Sequence, residues 1–194
     1  MFEYAKEIKP ALILFMAFAL LTGVVYPLFI TGIVQTALPA KAEGSLIVVD
    51  GRIVGSELIG QTFQSPGYFH GRPSAVNYAA NGSGAGNLGP TSARLMEEVS
   101  RRIDQVRHEN RMYNGQSVPA DLVQSSGSGL DPHISRQAAM EQVARVAGAR
   151  GLAHSAVQAL IDRNVEPAVF GILGQERVNV LRLNLDLDNI TGVS

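Results

Sequence analysis

Ser126-Gly127-Ser128-Gly129 runs into Leu130-Asp131-Pro132-His133-Ile134-Ser135, and two chemistries could use these residues. Backbone N–H groups of a Gly-rich stretch ahead of a helix start can cradle an anion. The same stretch reads as an entry turn, with Asp131 or Ser135 capping the helix and Pro132 fixing the approach, and this reading is preferred. Hydrolysis would need Ser126 or Ser128 as nucleophile, His133 as base and Asp131 as orienter, converging in space. Three neighbours on one loop seldom converge, and GxSxG and HExxH are both absent.

Gly84-Ala85-Gly86-Asn87-Leu88-Gly89 fits GxGxxG letter for letter. A dinucleotide fingerprint should leave a parallel strand, and the preceding Ala75–Asn81 (AVNYAAN) makes a poor one, so a Gly-rich loop entering a helix is the better reading. Tyr68, Phe69, Arg72 and Pro73 sit on another Gly/Pro loop and are residue types enriched at binding hot spots. The opposite reading, in which Tyr68 and Phe69 pin the loop to its own core, stands beside it. His70, His108, His133 and His154 show no metal-ligand spacing, and no metal is expected.

Other chemistries are excluded by composition. The 194 residues carry no cysteine, which removes disulfides, thiolate metal sites and a cysteine nucleophile. The only lysines are Lys6, Lys9 and Lys41, and all thirteen arginines lie beyond them. A GxxxxGK[ST] phosphate loop or a Schiff-base lysine therefore cannot exist after position 41. A net charge of −1 gives no basic footprint for nucleic acid, and no enzymatic role is expected.

The elements that must position these residues follow from periodicity. Ser45–Gly55 (SLIVVDGRIVG) predicts a hairpin about Asp50-Gly51. Gln61–Pro90 predicts a long functional loop. Ser92–Asn110 predicts a helix with Leu95, Met96, Val99, Ile103 and Val106 as its apolar stripe. Ser135 caps a second helix to about Arg150, burying Met140, Val143, Ala144 and Ala147 and ending at Gly151. Ser155 and Gln158 form a capping box for a third, carrying Val157, Leu160 and Ile161. Leu181, Leu183, Leu185 and Leu187 alternate with polar residues and predict a half-buried antiparallel strand. The class is α+β, a small antiparallel sheet with helices, tethered by one N-terminal transmembrane helix.

That tether is Ala11–Val34, 24 almost wholly apolar residues inside the uncharged gap between Lys9 and Lys41. As a helix it spans about 36 Å against a hydrocarbon core of about 30 Å. A cleaved signal peptide, ending at Ala40-Lys41-Ala42, is the rival reading. The apolar run is about twice a signal's core, so we read a retained anchor. The organisation expected is a tail (1–10), the membrane helix (11–38) and the soluble domain (39–194), which the weak lysine bias places outside the cytoplasm. Ala19, Gly23, Pro27 and Thr31 recur every fourth residue, small enough to admit a neighbouring helix. Pro27 cannot donate to the Gly23 carbonyl, so a kink is expected there.

Ordered short matches run from about Leu12 to Asp188. They include Leu21-Thr22-Gly23 with Tyr26-Pro27-Leu28, Leu58-Ile59-Gly60-Gln61 and Tyr68-Phe69 with Arg72-Pro73-Ser74-Ala75. Asn87-Leu88-Gly89-Pro90, Ser126–Ser135, Val178-Asn179-Val180-Leu181 and Leu183-Asn184-Leu185 continue them. Together they resemble the C subunit of the Kdp system, a bacterial potassium-transporting P-type ATPase complex. The resemblance implies an accessory "catalytic chaperone" that raises the ATP affinity of the catalytic subunit, in the cell inner membrane. It also implies partners: a channel-like potassium-translocating subunit (KdpA), the P-type catalytic subunit (KdpB), a small single-helix subunit (KdpF) and membrane lipid. ATP would be met through the catalytic subunit, with Ser126, Gly127, Ser128 and Gly129 as the implied nucleotide contact. A membrane-anchored extracytoplasmic enzyme or small-ligand binder is the alternative.

Overall fold

The computed structural model describes residues 4–192. The chain divides into two compact units, residues 1–46 and 47–194.

In the first unit, α1 (Tyr4–Leu20) passes through a π-helical turn (Leu21–Val25) into α2 (Tyr26–Ala37), and a short α3 (Pro39–Ala42) follows. Lys6–Ala37 is one 32-residue apolar helical span, long enough to cross a membrane. The π turn answers the expected kink. Pro27 has no N–H for Gly23, and just before it the Tyr26 N–H donates to Leu21 O, five residues back. Thr22 and Thr36 donate their hydroxyls to Phe18 O at 2.7 Å and Gly32 O at 2.9 Å, which leaves neither bare in an apolar medium.

The predicted hairpin follows, β1 (Leu46–Val49), whose first residue closes the first unit, and β2 (Arg52–Ser56). Asp50 (φ 49°) and Gly51 (φ 76°) both adopt the left-handed conformation that a two-residue type I′ turn needs. Residues 57–92 then run without helix or strand. The helix predicted over Ser92–Asn110 is α4 (Ala93–Asn110), with Ser92 as its cap, accepting from Leu95 N–H, although Met96 is exposed rather than part of a covered stripe. A 3-10 turn (Ala120–Leu122) leads to β3 (His133–Ile134), α5 (Arg136–Glu141), α6 (Val143–Arg150) and α7 (His154–Arg163). β4 (Val165–Glu166), β5 (Arg177–Asn179) and α8 (Val180–Thr191) complete the second unit. β5 lies between β3 and β4, antiparallel to both, with Val178 opposite Ile134 and Val165. Phe69, Ile134, Val146, Val157, Ile161, Val178, Leu183 and Leu187 form the core.

Three local expectations are corrected. The leucine run is not a strand but α8: Val180, Leu183, Asn184 and Leu187 are buried together, a helical repeat that coexists with the alternation of leucines. Asn179 starts it, its side-chain oxygen accepting from Arg182 N–H. The helix after Ser135 is interrupted at Gln142, between α5 and α6, where the side chain turns inward to bond backbone, and Ala144 is only half-buried. Ser135 is the N-cap and Gly151 the left-handed stop, as expected. The third helix begins at His154 with Ala153 at the cap and no side-chain cap bond, so Ser155 lies inside it and forms no capping box.

Candidate functional site

The long loop is held by side chains rather than by strand pairing. At Phe69 the N–H donates to Asn184 Oδ1 (2.8 Å) and the carbonyl accepts from Asn184 Nδ2 (3.0 Å). One residue on, the His70 N–H donates to Gln142 Oε1 (2.8 Å) and its carbonyl accepts from Gln142 Nε2 (3.1 Å). Both amides are about 1 % exposed. Arg145 completes the frame, donating to Pro66 O (2.8 Å), Tyr68 O (2.7 Å), Asn110 Oδ1 (3.0 Å) and Gln142 Oε1 (2.5 Å). Burial pushes its pKa down to about 10, against a smaller opposing pull from Glu109, so it remains a cation at neutral pH. Burial first, and then the Arg145 charge, likewise lower the His70 pKa below its ordinary value; Ser65 O and Glu109 oppose this.

Tyr68 and Phe69 therefore face inward. Phe69 is fully buried. Tyr68 donates its hydroxyl to Asp188 (3.1 Å) and lies under the Arg150 guanidinium, 4.5 Å from the ring centroid. Arg150 itself bonds Gly67 O (2.8 Å) and Asp188 (2.7 Å). Arg72 and Pro73 stay half-exposed at the surface.

Arg72 joins this loop to the serine–glycine stretch through Asp131, 3.1 Å away. Burial acts to raise the Asp131 pKa, but bonds from His133 and Arg72 together outweigh it and hold the carboxyl below its usual range. Burial, reinforced by Asp131, pushes the Tyr78 hydroxyl up to about 12, so it stays a donor, 2.5 Å from Arg72 O. Asp131 Oδ1 also accepts from the His133 N–H (3.0 Å), so of the two cap candidates Ser135 caps the helix and Asp131 forms the turn before it. Ser126 is buried and accepts from Gly129 N–H (2.9 Å), while Ser128 accepts from Leu130 N–H (3.1 Å). The His133 ring nitrogens face Asp131 (3.5 Å) and Glu166 (3.9 Å), so neither serine is paired with the imidazole as a nucleophile would be.

The two Gly-rich stretches, separate in the sequence, meet. Gly84 N–H donates to Ser128 O (2.9 Å), and Gly129 (φ 69°) lies so close that a Cβ there would stand 2.7 Å from Gly84 O. A cleft of about 470 Å³ opens beside them, lined in part by Gly86, Asn87, Arg102, Ser125, Ser126 and Gly127. A second, of about 510 Å³, is lined in part by Arg72, Asp121, Asp131, His133, Glu176 and Arg177. Among the described residues, no group of three or more His, Asp or Glu side chains is placed to hold a metal. Asn184, Gln142 and Arg145 each bond loop residues 70 or more positions away, a role that no local pattern signals.

The helix stripe is a separate candidate. Ala19, Gly23, Pro27 and Thr31 are exposed, and a Cβ at Gly23 would meet nothing within 4 Å. Along a regular helix, twelve residues advance the stripe by about 120° beyond whole turns. One π turn takes back about 100°. Ala19 and Thr31 thereby return to within about 20° of one face.

Residues 8–189 match the KdpC family, described as K+-transporting ATPase, c chain. The chain is similar to the potassium-transporting ATPase KdpC subunit of Cereibacter sphaeroides (strain ATCC 17023), 54% identical over 94% of this chain and 96% of that one. Like-named subunits of Rhodospirillum rubrum (52%; 94% and 95% covered) and Gemmatimonas aurantiaca (49%; 97% and 96%) are similar too.

Proposed function

The chain belongs to the KdpC family, and from that premise we propose that it is a single-pass, non-catalytic accessory subunit of a potassium-transporting P-type ATPase in the cell inner membrane. Its helix packs sideways against a helix of a partner in that complex, whose other members are a channel-like potassium-translocating subunit, the P-type catalytic subunit and a small single-helix subunit. Its body, residues 47–194, lies outside the cytoplasm and assists the catalytic subunit as a chaperone that raises ATP affinity. A body so placed cannot touch cytoplasmic nucleotide, so that effect is conformational and travels through partner helices.

The observation that carries this reading is the exposed small-residue stripe of an otherwise apolar 32-residue span, brought back onto one face by the π turn. Small residues let helix backbones approach, and such packing drives association in lipid, where apolar burial does not. The body contains no lysine, so it has no phosphate-loop lysine to act on ATP unaided.

Gly23→Leu tests the proposal. The added bulk should cut recovery of the other subunits on purification in mild detergent by about tenfold, the effect of losing on the order of 1.4 kcal/mol of contact. Undiminished recovery would remove the helix stripe from the assembly.

A further inference from the structure

Between β4 and β5 the chain runs through residues 167–174, PAVFGILG, without one polar side chain. Phe170 is 88 % exposed, Ile172 81 %, Leu173 60 % and Val169 48 %. Together they show roughly 500 Å² of apolar surface to water, one contiguous patch rather than scattered single residues. The patch is a formed hairpin tip. Val169 and Leu173 exchange N–H···O bonds of 2.9 Å each, Gly171 N–H donates to Ala168 O (2.9 Å) and Ile172 N–H to Val169 O (3.3 Å). Phe170 (φ 56°) and Gly171 (φ 75°) are both left-handed, a conformation that a bulky residue rarely adopts outside a tight turn. The base is fixed by the β4–β5 ladder, with Val165 opposite Val178 and Glu166 opposite Arg177.

The chemistry of the tip selects what covers it. Its N–H groups at 169, 171, 172 and 173 are bonded within the tip, so strand addition by a partner's backbone gains little there, and recognition falls to the side chains. At the base Arg177 is held by Glu166 at 3.0 Å, Glu176 adds an acid, and residues 47–194 hold no lysine. The basic collar that draws an apolar segment to an anionic bilayer is therefore missing. A second copy does not fit either. A two-fold contact must be self-complementary, and two projecting tips are not. What remains is a concave apolar surface of a different protein. About 500 Å² falls below the roughly 800 Å² per partner of a free-standing interface, which suits a second contact of a chain already tethered to the same assembly.

We propose that the β4–β5 tip, with Phe170 and Ile172 at its end, is a plug that seats in an apolar hollow on another subunit of the potassium-transporting ATPase. This rests on the reading of the chain as an accessory subunit, but neither on the helix stripe nor on the side of the membrane that holds the body. The test uses the full-length chain expressed together with the other subunits. A benzophenone photoprobe at position 170, irradiated in native membranes, should join this chain to a larger subunit of the complex, with the adduct mapped to a site lined by apolar side chains. Phe170→Ser combined with Ile172→Ser should leave the Tm of the purified chain unchanged, because both side chains stand in water. The same pair should cut recovery of the other subunits in mild detergent about tenfold. Full recovery with the pair overturns the proposal. So does an adduct formed only with lipid or with a second copy, and so does the absence of any adduct even where recovery falls. Loss of recovery with Gly23→Leu but not with the serine pair overturns the plug and leaves the accessory-subunit reading standing. If no other subunit accompanies the unsubstituted chain, the two fall together.

Discussion

Asn184 bonds both polar groups of the Phe69 peptide and Gln142 both polar groups at His70, so two amides supply this loop with the bonds a neighbouring strand would give. Asn184→Leu keeps the volume but orphans a buried N–H and a buried C=O. The expected loss is on the order of 3 kcal/mol, read from urea unfolding of the full chain in detergent. A loss below about 1 kcal/mol would mean the loop holds itself. His70 gives a pH test at the same place. Its pKa is lowered in the folded state by burial and by Arg145, so below the ordinary value of 6.5 the unfolded chain binds more protons. Stability is then complete above that value and falls as pH drops through the window just beneath it. His70→Gln should flatten that fall; an unchanged slope would assign it to other groups.

Most elements of the fold are legible wherever a signal is local. Asp50-Gly51 specifies its turn, Ser92 and Ser135 their helices, and Gly151 a stop. Legibility fails where two periodicities share one segment: Leu181–Leu187 satisfies a strand and a helix alike, and Asn179 is the residue that decides, as a cap. It fails again at Arg145, whose partners Pro66 and Tyr68 lie far back in the chain. Pro27 is legible as a breaker, but its consequence, a widened turn that realigns the stripe, appears only in three dimensions. Pro27→Leu tests that consequence. Restoring the missing N–H should let the π turn close into regular α-helix, rotating Ala19 away from Thr31 by about 100°. Hydropathy and insertion would be kept while recovery of the other subunits drops; full recovery would show that the alignment of the stripe is irrelevant to assembly.

At the scale of the whole molecule, the question is which side of the membrane holds the body, because that decides how any influence on ATP can act. The distribution of lysine makes the native chain its own reporter. Lys6 and Lys9 precede the apolar span, Lys41 follows it, and residues 42–194 contain none. An amine-reactive reagent that cannot cross the membrane, added to intact spheroplasts, therefore reports orientation without any substitution. With the body outside, Lys41 should be modified, while Lys6 and Lys9 react only after lysis, as peptide mass analysis would reveal. The weak excess of lysine before the span favours this arrangement. It also requires that an effect on nucleotide affinity pass along the helix, so Gly23→Leu should abolish the effect while Ser126→Ala and Ser128→Ala leave it intact. The reverse labelling would bring Ser126–Gly129 to the nucleotide side, and direct contact would replace conformational coupling as the mechanism.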